Sequence, residues 1–307
     1  MGKIAFLFAG QGAQYPGMGK SLYDSSPASK AVFDAAESVR PGTLQQCFAG
    51  TKEELVETVN TQPCVFAVDL AAARALEEAG ICAEGAAGFS LGEVAALTFA
   101  DTFRSDAEGF SLVTERGRLM QKDNTENPGS MVAVLKLSNE KVEALCKQFS
   151  GLYPVNYNCP GQLVVAGQKE NIPPFCEAVS AAGGRAKALA VGGGFHSPLM
   201  HNASAAFESI LHDTGMKTPR LPVYADFTAQ PYTQETDLVS ILARQIENPV
   251  RWQQILENMS ASGFDTFIEV GPGKTLSGLV RRTLPKAVNL RVGSAEELAS
   301  VVETLQK

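Results

Sequence analysis

At 307 residues, with 45% hydrophobic and 19% charged residues, the chain has an ordinary globular composition and the length for one large α/β domain or two smaller ones. A formal net charge of −7 argues against nonspecific nucleic-acid binding, and an acidic partner would need a local grouping of basic residues. No apolar run approaches the ~18 residues that a membrane span needs, so no membrane contact is expected. Six cysteines without C-x-x-C spacing or a secretion signal read as reduced, cytoplasmic thiols.

In chain order, the apolar stretch at residues 4–9 predicts a buried first strand. It is too short for a signal peptide and runs straight into Gly10-Gln11-Gly12. Residues 63–79 are apolar and alanine-rich and predict a helix closed by Gly80. A short strand is expected at 86–89, although alanine and glycine are poor strand formers, and helices at 91–99 and 108–121. The middle of the chain then reads as strand 130–137, helix 138–149, strands 153–157 and 163–166 joined by Pro160-Gly161, helix 170–182 and strand 185–190. That order, β-α-β-β-α-β, predicts a ferredoxin-like subdomain at 128–192 inserted between core segments 1–127 and 193–307. A buried strand at 264–270 follows, then Gly271-Pro272-Gly273 and a further helix. The alternation of strands and helices places the chain in the α/β class.

Gly88-Phe89-Ser90-Leu91-Gly92 has the G-x-S-x-G spacing of a nucleophile elbow. In such a turn the glycines leave room for a strand and a helix to meet, and the serine Oγ is exposed between them. Glu93-Val94-Ala95-Ala96-Leu97 is a good helix former, so Ser90 would stand at a helix N-terminus with the Leu91 amide free to stabilise an oxyanion. A serine nucleophile needs a base, and the chain has three histidines. His196 follows a predicted strand in a glycine-rich loop, where catalytic side chains are often presented. His201 and His212 fall in a helical stretch and read as ordinary surface or packing residues. His196 is therefore the candidate base.

Seven motifs now occur in one order: Gly10-Gln11-Gly12-Ala13-Gln14, Asn60-Thr61-Gln62-Pro63, the elbow with Glu93, Glu115-Arg116-Gly117, Phe195-His196-Ser197-Pro198-Leu199-Met200, Asn248-Pro249-Val250-Arg251-Trp252 and Glu269-Val270-Gly271-Pro272-Gly273. Together they resemble the malonyl-CoA:acyl-carrier-protein transacylase family of bacterial type II fatty acid synthesis, over essentially the whole chain. The resemblance implies a hydrolase-like parallel-sheet core carrying the ferredoxin-like insert. It implies Ser90 as acyl carrier, His196 as base, and the backbone N–H groups of Gln11 and Leu91 as the oxyanion hole. It further implies that the Arg251 backbone carbonyl orients His196 and that Arg116 grips the malonyl carboxylate. Asn156 and Asn158 match asparagines near the family's active site. The substrates implied are malonyl-CoA, a coenzyme A thioester, and an acyl carrier protein, with no bound cofactor, no metal and a monomeric enzyme.

Physical chemistry supports Arg116 on its own terms. A planar guanidinium can hold a carboxylate with two parallel bonds, and an arginine left unpaired in a dry pocket would penalise an acetyl donor. Phe195, beside the base, matches relatives that use malonyl groups, since a ring there leaves less room for a branched α-carbon. One position departs from the family: Phe89 stands where a histidine is usual, which bears on acyl selectivity and not on the base. Arg185, Lys187 and the Arg281-Arg282 pair are the sequence candidates for a basic patch facing an acidic carrier. The alternatives are a free-standing acyltransferase of a polyketide synthase, a serine hydrolase or acyl-proofreading thioesterase on the same elbow, and a degenerate carrier-docking module.

Overall fold

The computed structural model describes residues 2–189 and 193–306. Five strands form a parallel sheet: β1 (Lys3–Phe8), β2 (Gly85–Gly88), β7 (Val223–Tyr224), β8 (Phe264–Val270) and β9 (Val288–Val292), in the order β7-β2-β1-β8-β9. Four more form an antiparallel sheet: β3 (Gly129–Leu135), β4 (Leu152–Cys159), β5 (Gln162–Gln168) and β6 (Arg185–Ala188), in the order β4-β5-β3-β6.

The central strand β1 is buried on both faces, as a parallel sheet covered by helices requires. Phe6 and Phe8 point to one side. There they meet the Phe99 ring, at 5.5 and 5.6 Å between centroids, and the helix Thr58–Glu78. Ala5 and Leu7 point to the other, among Trp252, Leu256, Leu276 and Val280. Each phenylalanine so buried contributes about 1.5–3 kcal/mol. Strand β2 is Gly-Ala-Ala-Gly and wholly buried. Its poor intrinsic propensity is overridden because a side chain added at Gly85 would land on the Phe264 ring.

Alternation in the antiparallel sheet divides its labour. Val132, Val134, Leu163 and Val165 face the helices Asn139–Cys146 and Ile172–Ala181. Met131, Ala133, Val164 and Ala166 face the main core. Strand β4 is tied to a segment that packs under the parallel sheet, where the Val250 amide and carbonyl bond the Val155 carbonyl and the Tyr157 amide, at 2.8 and 2.9 Å.

The strand–helix order of the antiparallel sheet matches expectation with shifted ends; in the parallel sheet β1, β2 and β8 match, and β7 and β9 have no reading from the sequence. The first large helix starts at Thr58, not at residue 63, and carries Pro63 inside it. Its opening turn is held before the proline by the Asn60 and Thr61 amides on the Glu57 carbonyl. Helix 108–121 extends to Asp106–Glu126. Residues 20–56, without a reading from the sequence, hold the helices Lys20–Ser25, Pro27–Val39, Thr43–Ala49 and Lys52–Val56. The expected strand end at residue 190 and the insert boundary at 192 lie outside the described residues. No helix among the described residues is long and apolar enough to cross a membrane.

Candidate active site

Ser90 sits between the end of β2 and the helix Leu91–Phe99, with φ 58° and ψ −105°. This is unfavourable backbone for a residue with a Cβ, of order 1–3 kcal/mol, and it persists because neighbours over-determine it. The Phe89 amide bonds the Phe8 carbonyl at 3.0 Å, the Ser90 amide bonds Asp226 Oδ2 at 2.7 Å, and the Ser90 carbonyl accepts from Gln245 Nε2 at 2.8 Å. The two elbow glycines are compulsory. A Cβ at Gly88 would fall on the Gly92 carbonyl, and one at Gly92 on the Phe8 carbonyl.

His196 reaches the serine from a turn just before the short helix Pro198–Met200. Its backbone also has positive φ, 62°, and its amide is anchored on the Ile246 carbonyl at 3.1 Å. Nε2 lies 2.9 Å from Ser90 Oγ and Nδ1 lies 2.9 Å from the Gln245 carbonyl. A carbonyl can only accept, so Nδ1 carries the hydrogen and Nε2 presents its lone pair to the hydroxyl. The orienting carbonyl thus belongs to Gln245, and the expectation for Arg251 is corrected. The reason is local. Gln245 opens the short turn Gln245–Glu247 after the helix Leu238–Arg244, where its carbonyl takes only a long bond from the Asn248 amide, at 3.4 Å, and has a lone pair left for the imidazole. The Arg251 carbonyl is taken by the Ile255 amide, at 2.9 Å, in starting the helix Trp252–Ala261.

Burial, helped by the nearby Arg116 charge, pushes the His196 imidazole down to about 4 from its ordinary 6.5. The base is therefore neutral throughout the mildly acidic range. Transfer activity should hold below pH 6.5 and show its acid limb nearer 4, read from kcat/KM against pH, which reports the free enzyme. Stability follows the same group. Between 6.5 and about 4 the unfolded chain takes up this proton and the folded one does not, so up to about 3 kcal/mol is lost as pH falls through that window.

Arg116, on the helix Asp106–Glu126, is fully buried. Nη1 donates to Gln62 Oε1 at 2.8 Å, and Nη2 donates to Gln245 Oε1 at 2.6 Å and to Ser90 Oγ at 3.1 Å. Burial pulls it down to about 10 while Glu93 and Asp226 oppose the shift, so it stays a cation at neutral pH. Two glutamine oxygens thus hold the terminal nitrogens of the guanidinium before any ligand arrives, and the expectation of an arginine wholly unpaired without a carboxylate is corrected; among the described residues only its buried Nε has no partner. Its neighbour Arg118 is exposed and paired with Glu115 at 2.8 Å.

A cavity of about 90 Å³ opens over Ser90, lined by Gln11, Gln62, Leu91, Met120, Met131 and Leu189, with Phe89 and Phe195 among its apolar walls. Phe89 packs at 5.4 Å from the Trp252 ring. Among the described residues the amides of Gln11 and Leu91, which line this cavity, carry no protein acceptor. A second cavity, of about 230 Å³, shares Gln11, Phe89 and Asn156 with the first and adds Asn158 and Gln162. The Oδ1 atoms of Asn156 and Asn158 are buried there without a partner. His201 is exposed and paired with Glu247, and His212 ends the helix His201–His212.

The sequence gives no role to Gln62 or Gln245. Gln62 falls within a quoted motif, so that motif is its signal. Gln245 has none: its side chain and carbonyl touch Ser90, Arg116 and His196, all distant in sequence.

A strained serine on a parallel sheet, a neutral histidine bonded to its hydroxyl and a buried cation alongside define a serine-dependent acyl-transfer enzyme. Comparison with known proteins carries this further. The Acyl transferase domain model matches residues 5–306. The chain is 34% identical to a malonyl CoA-acyl carrier protein transacylase of Bacillus subtilis (strain 168), covering 100% of this chain and 98% of the relative. It is 36% identical to that of Staphylococcus aureus (strain MRSA252), covering 92% of each. The Clostridium perfringens transacylase structure superposes with a TM-score of 0.95 at 33% identity, covering 99% of this chain and 97% of that one. A malonyl-transacylase solved with its type II PKS acyl-carrier protein gives 0.94 at 32% identity, covering 98% and 99%. The chain belongs to the malonyl CoA-acyl carrier protein transacylase family.

Proposed function

We propose that this enzyme moves a malonyl group from malonyl-CoA to Ser90 and then to the phosphopantetheine thiol of an acyl carrier protein, supplying fatty acid synthesis in the cytoplasm. His196 Nε2 takes the Ser90 proton as Oγ attacks the thioester carbonyl. The Gln11 and Leu91 amides receive the developing oxyanion, the C–S bond breaks, and the proton passes to the departing coenzyme A sulfur. The carrier thiol then gives its proton to His196 and attacks the malonyl ester. Ser90 recovers its hydrogen as the ester bond breaks. The chemistry uses no metal and no bound cofactor.

The observation that carries this reading is the buried Arg116 Nη2 at 3.1 Å from Ser90 Oγ, beside the cavity that opens over the serine. A cation so placed selects an acyl group with a free carboxylate one carbon from the ester. Phe89 and Phe195 narrow the same cavity and favour an unbranched α-carbon. Asn156 and Asn158 line the outer cavity with side-chain amides suited to the amide groups of the pantetheine arm. Intact mass after mixing with malonyl-CoA tests nucleophile and donor together: one added malonyl group is expected, and none would refute the reading.

The acidic carrier must find positive charge on a chain of net charge −7. Arg281 lines a surface cleft of about 400 Å³ with Lys274 and Arg291, beside the outer cavity, and Arg282 is bonded to Gln162 at 2.7 Å. Arg185 and Lys187 lie on β6. Raising salt from about 0.05 to about 0.3 M should raise KM for the carrier several-fold and that for malonyl-CoA less, because the larger charged surface is screened more. Equal sensitivity would remove the patch from the account.

A further inference from the structure

Two carboxyl groups beneath the elbow have no part in the acyl transfer just described. Glu93 lies in the first turn of the helix Leu91–Phe99 and Asp226 two residues beyond β7, and both are fully buried. They share a donor. Gln245 Nε2 is 2.8 Å from Glu93 Oε2, 2.9 Å from Asp226 Oδ2 and 2.8 Å from the Ser90 carbonyl, so its two hydrogens serve three acceptors. Glu93 also accepts from the Tyr232 hydroxyl at 2.5 Å and from the Asp226 amide at 3.2 Å. Asp226 Oδ2 accepts from the Ser90 amide at 2.7 Å, and among the described residues Asp226 Oδ1 has no donor.

Two adjoining carboxylates cut off from water cannot both hold a charge, so one keeps a proton. The donors decide which. Glu93 has both oxygens bonded by Tyr232, Gln245 and the Asp226 amide, which suits the anion. Asp226 has a bare oxygen on which a hydrogen can sit. Burial raises both carboxyls; the Tyr232, Gln245 and Asp226 donors hold Glu93 back, whereas burial and the Glu93 charge lift Asp226 well above its usual range. Arg116 is the cation that feels both groups, and Tyr232, raised by burial and by Glu93, stays neutral.

We propose that Asp226 is a positioning residue for the acyl-accepting serine: as the neutral, protonated partner of Glu93 it holds the Ser90 amide and the Gln245 side chain, and so fixes the strained elbow. Gln245 links that grip to the rest of the site, because its side-chain oxygen takes Arg116 and its carbonyl takes His196. The proposal rests on Ser90 being the nucleophile.

The test compares Asp226→Asn, which keeps the acceptor and cannot ionise, with Asp226→Ala, which leaves the Ser90 and Gln245 donors bare. Two readouts are taken at neutral pH: malonyl transfer, and labelling of Ser90 by an alkyl fluorophosphonate, a probe with neither coenzyme A nor a carboxylate. Asn should keep kcat and labelling within about threefold, and Ala should lower both by about 10- to 100-fold with little change in KM. Infrared difference spectra of wild type minus Asp226→Asn should show the carbonyl stretch of a protonated acid, shifted in heavy water. Asn as poor as Ala, or only ionised-carboxylate bands in the difference, would overturn the proposal. So would Ala with wild-type kcat. A wild type that takes no label at Ser90 removes the nucleophile assignment and the proposal with it, whereas a labelled wild type with Asp226→Asn as poor as Asp226→Ala removes the proposal alone. If Ala does not fold, the Asn kinetics and the infrared band decide.

Discussion

Ser90→Ala should take up no malonyl group at all from malonyl-CoA, and His196→Ala should lower transfer by about 10²- to 10⁴-fold, the usual contribution of a positioned base. The serine hydroxyl is weakly nucleophilic at neutral pH, and at 2.9 Å from Nε2 it has a single imidazole to receive its proton. The Ser90 variant keeps the Asp226 and Gln245 bonds to its backbone, so the elbow should survive while chemistry stops. His201→Ala, at an exposed ion pair, and His212→Ala should each stay within about twofold of wild type. Intact mass and single-turnover transfer read all four. A malonyl adduct on another residue of Ser90→Ala, or a defect in His201→Ala equal to that of His196→Ala, would reverse the assignments.

Arg116→Ala should collapse the preference for malonyl over acetyl donors. The lost charge-assisted grip is worth about 2–4 kcal/mol, or about 30- to 1000-fold in kcat/KM for malonyl-CoA relative to acetyl-CoA. Acetyl transfer will not be spared. The same guanidinium touches Ser90 Oγ and satisfies Gln62 and Gln245, so its removal strands two buried acceptors, and a roughly tenfold loss is expected with either donor. Arg116→Lys should recover little, because one ammonium cannot reach both glutamines and a carboxylate in one plane. The ratio of kcat/KM for the two donors is therefore the measurement. Equal losses for both would make Arg116 a support for the fold and not a reader of the carboxylate.

The parts of this site legible in the sequence are those set by short-range sterics. The elbow is one in part, because Gly88 is demanded by the Gly92 carbonyl within the same five residues, whereas Gly92 answers to the Phe8 carbonyl on a strand distant in sequence. The β-α-β-β-α-β order is another, since each element declares itself by its own period and turn. What stays hidden is tertiary. Gln245 meets the Ser90 carbonyl across 155 residues, and no local pattern marks it out from the other glutamines. The same holds for Asp226, 136 residues from the amide it holds. The error over Arg251 has this origin: the motif that contains it lies near His196, but the free carbonyl depends on where one helix ends and the next begins.

The acyl cavity has walls of two origins. Nucleophile and arginine stand on the parallel sheet and its helices and the base on a turn held by the Ile246 carbonyl, whereas Met131 and Leu189 come from the antiparallel sheet and its edge. Reaction and substrate range are thus carried by separate pieces of scaffold. A mutation on the inner face of the small sheet can reshape the acyl chamber and leave the proton path from Ser90 to His196 as it is. Directed evolution toward bulkier acyl donors has its best starting library there, where widening the chamber is uncoupled from dismantling the catalyst.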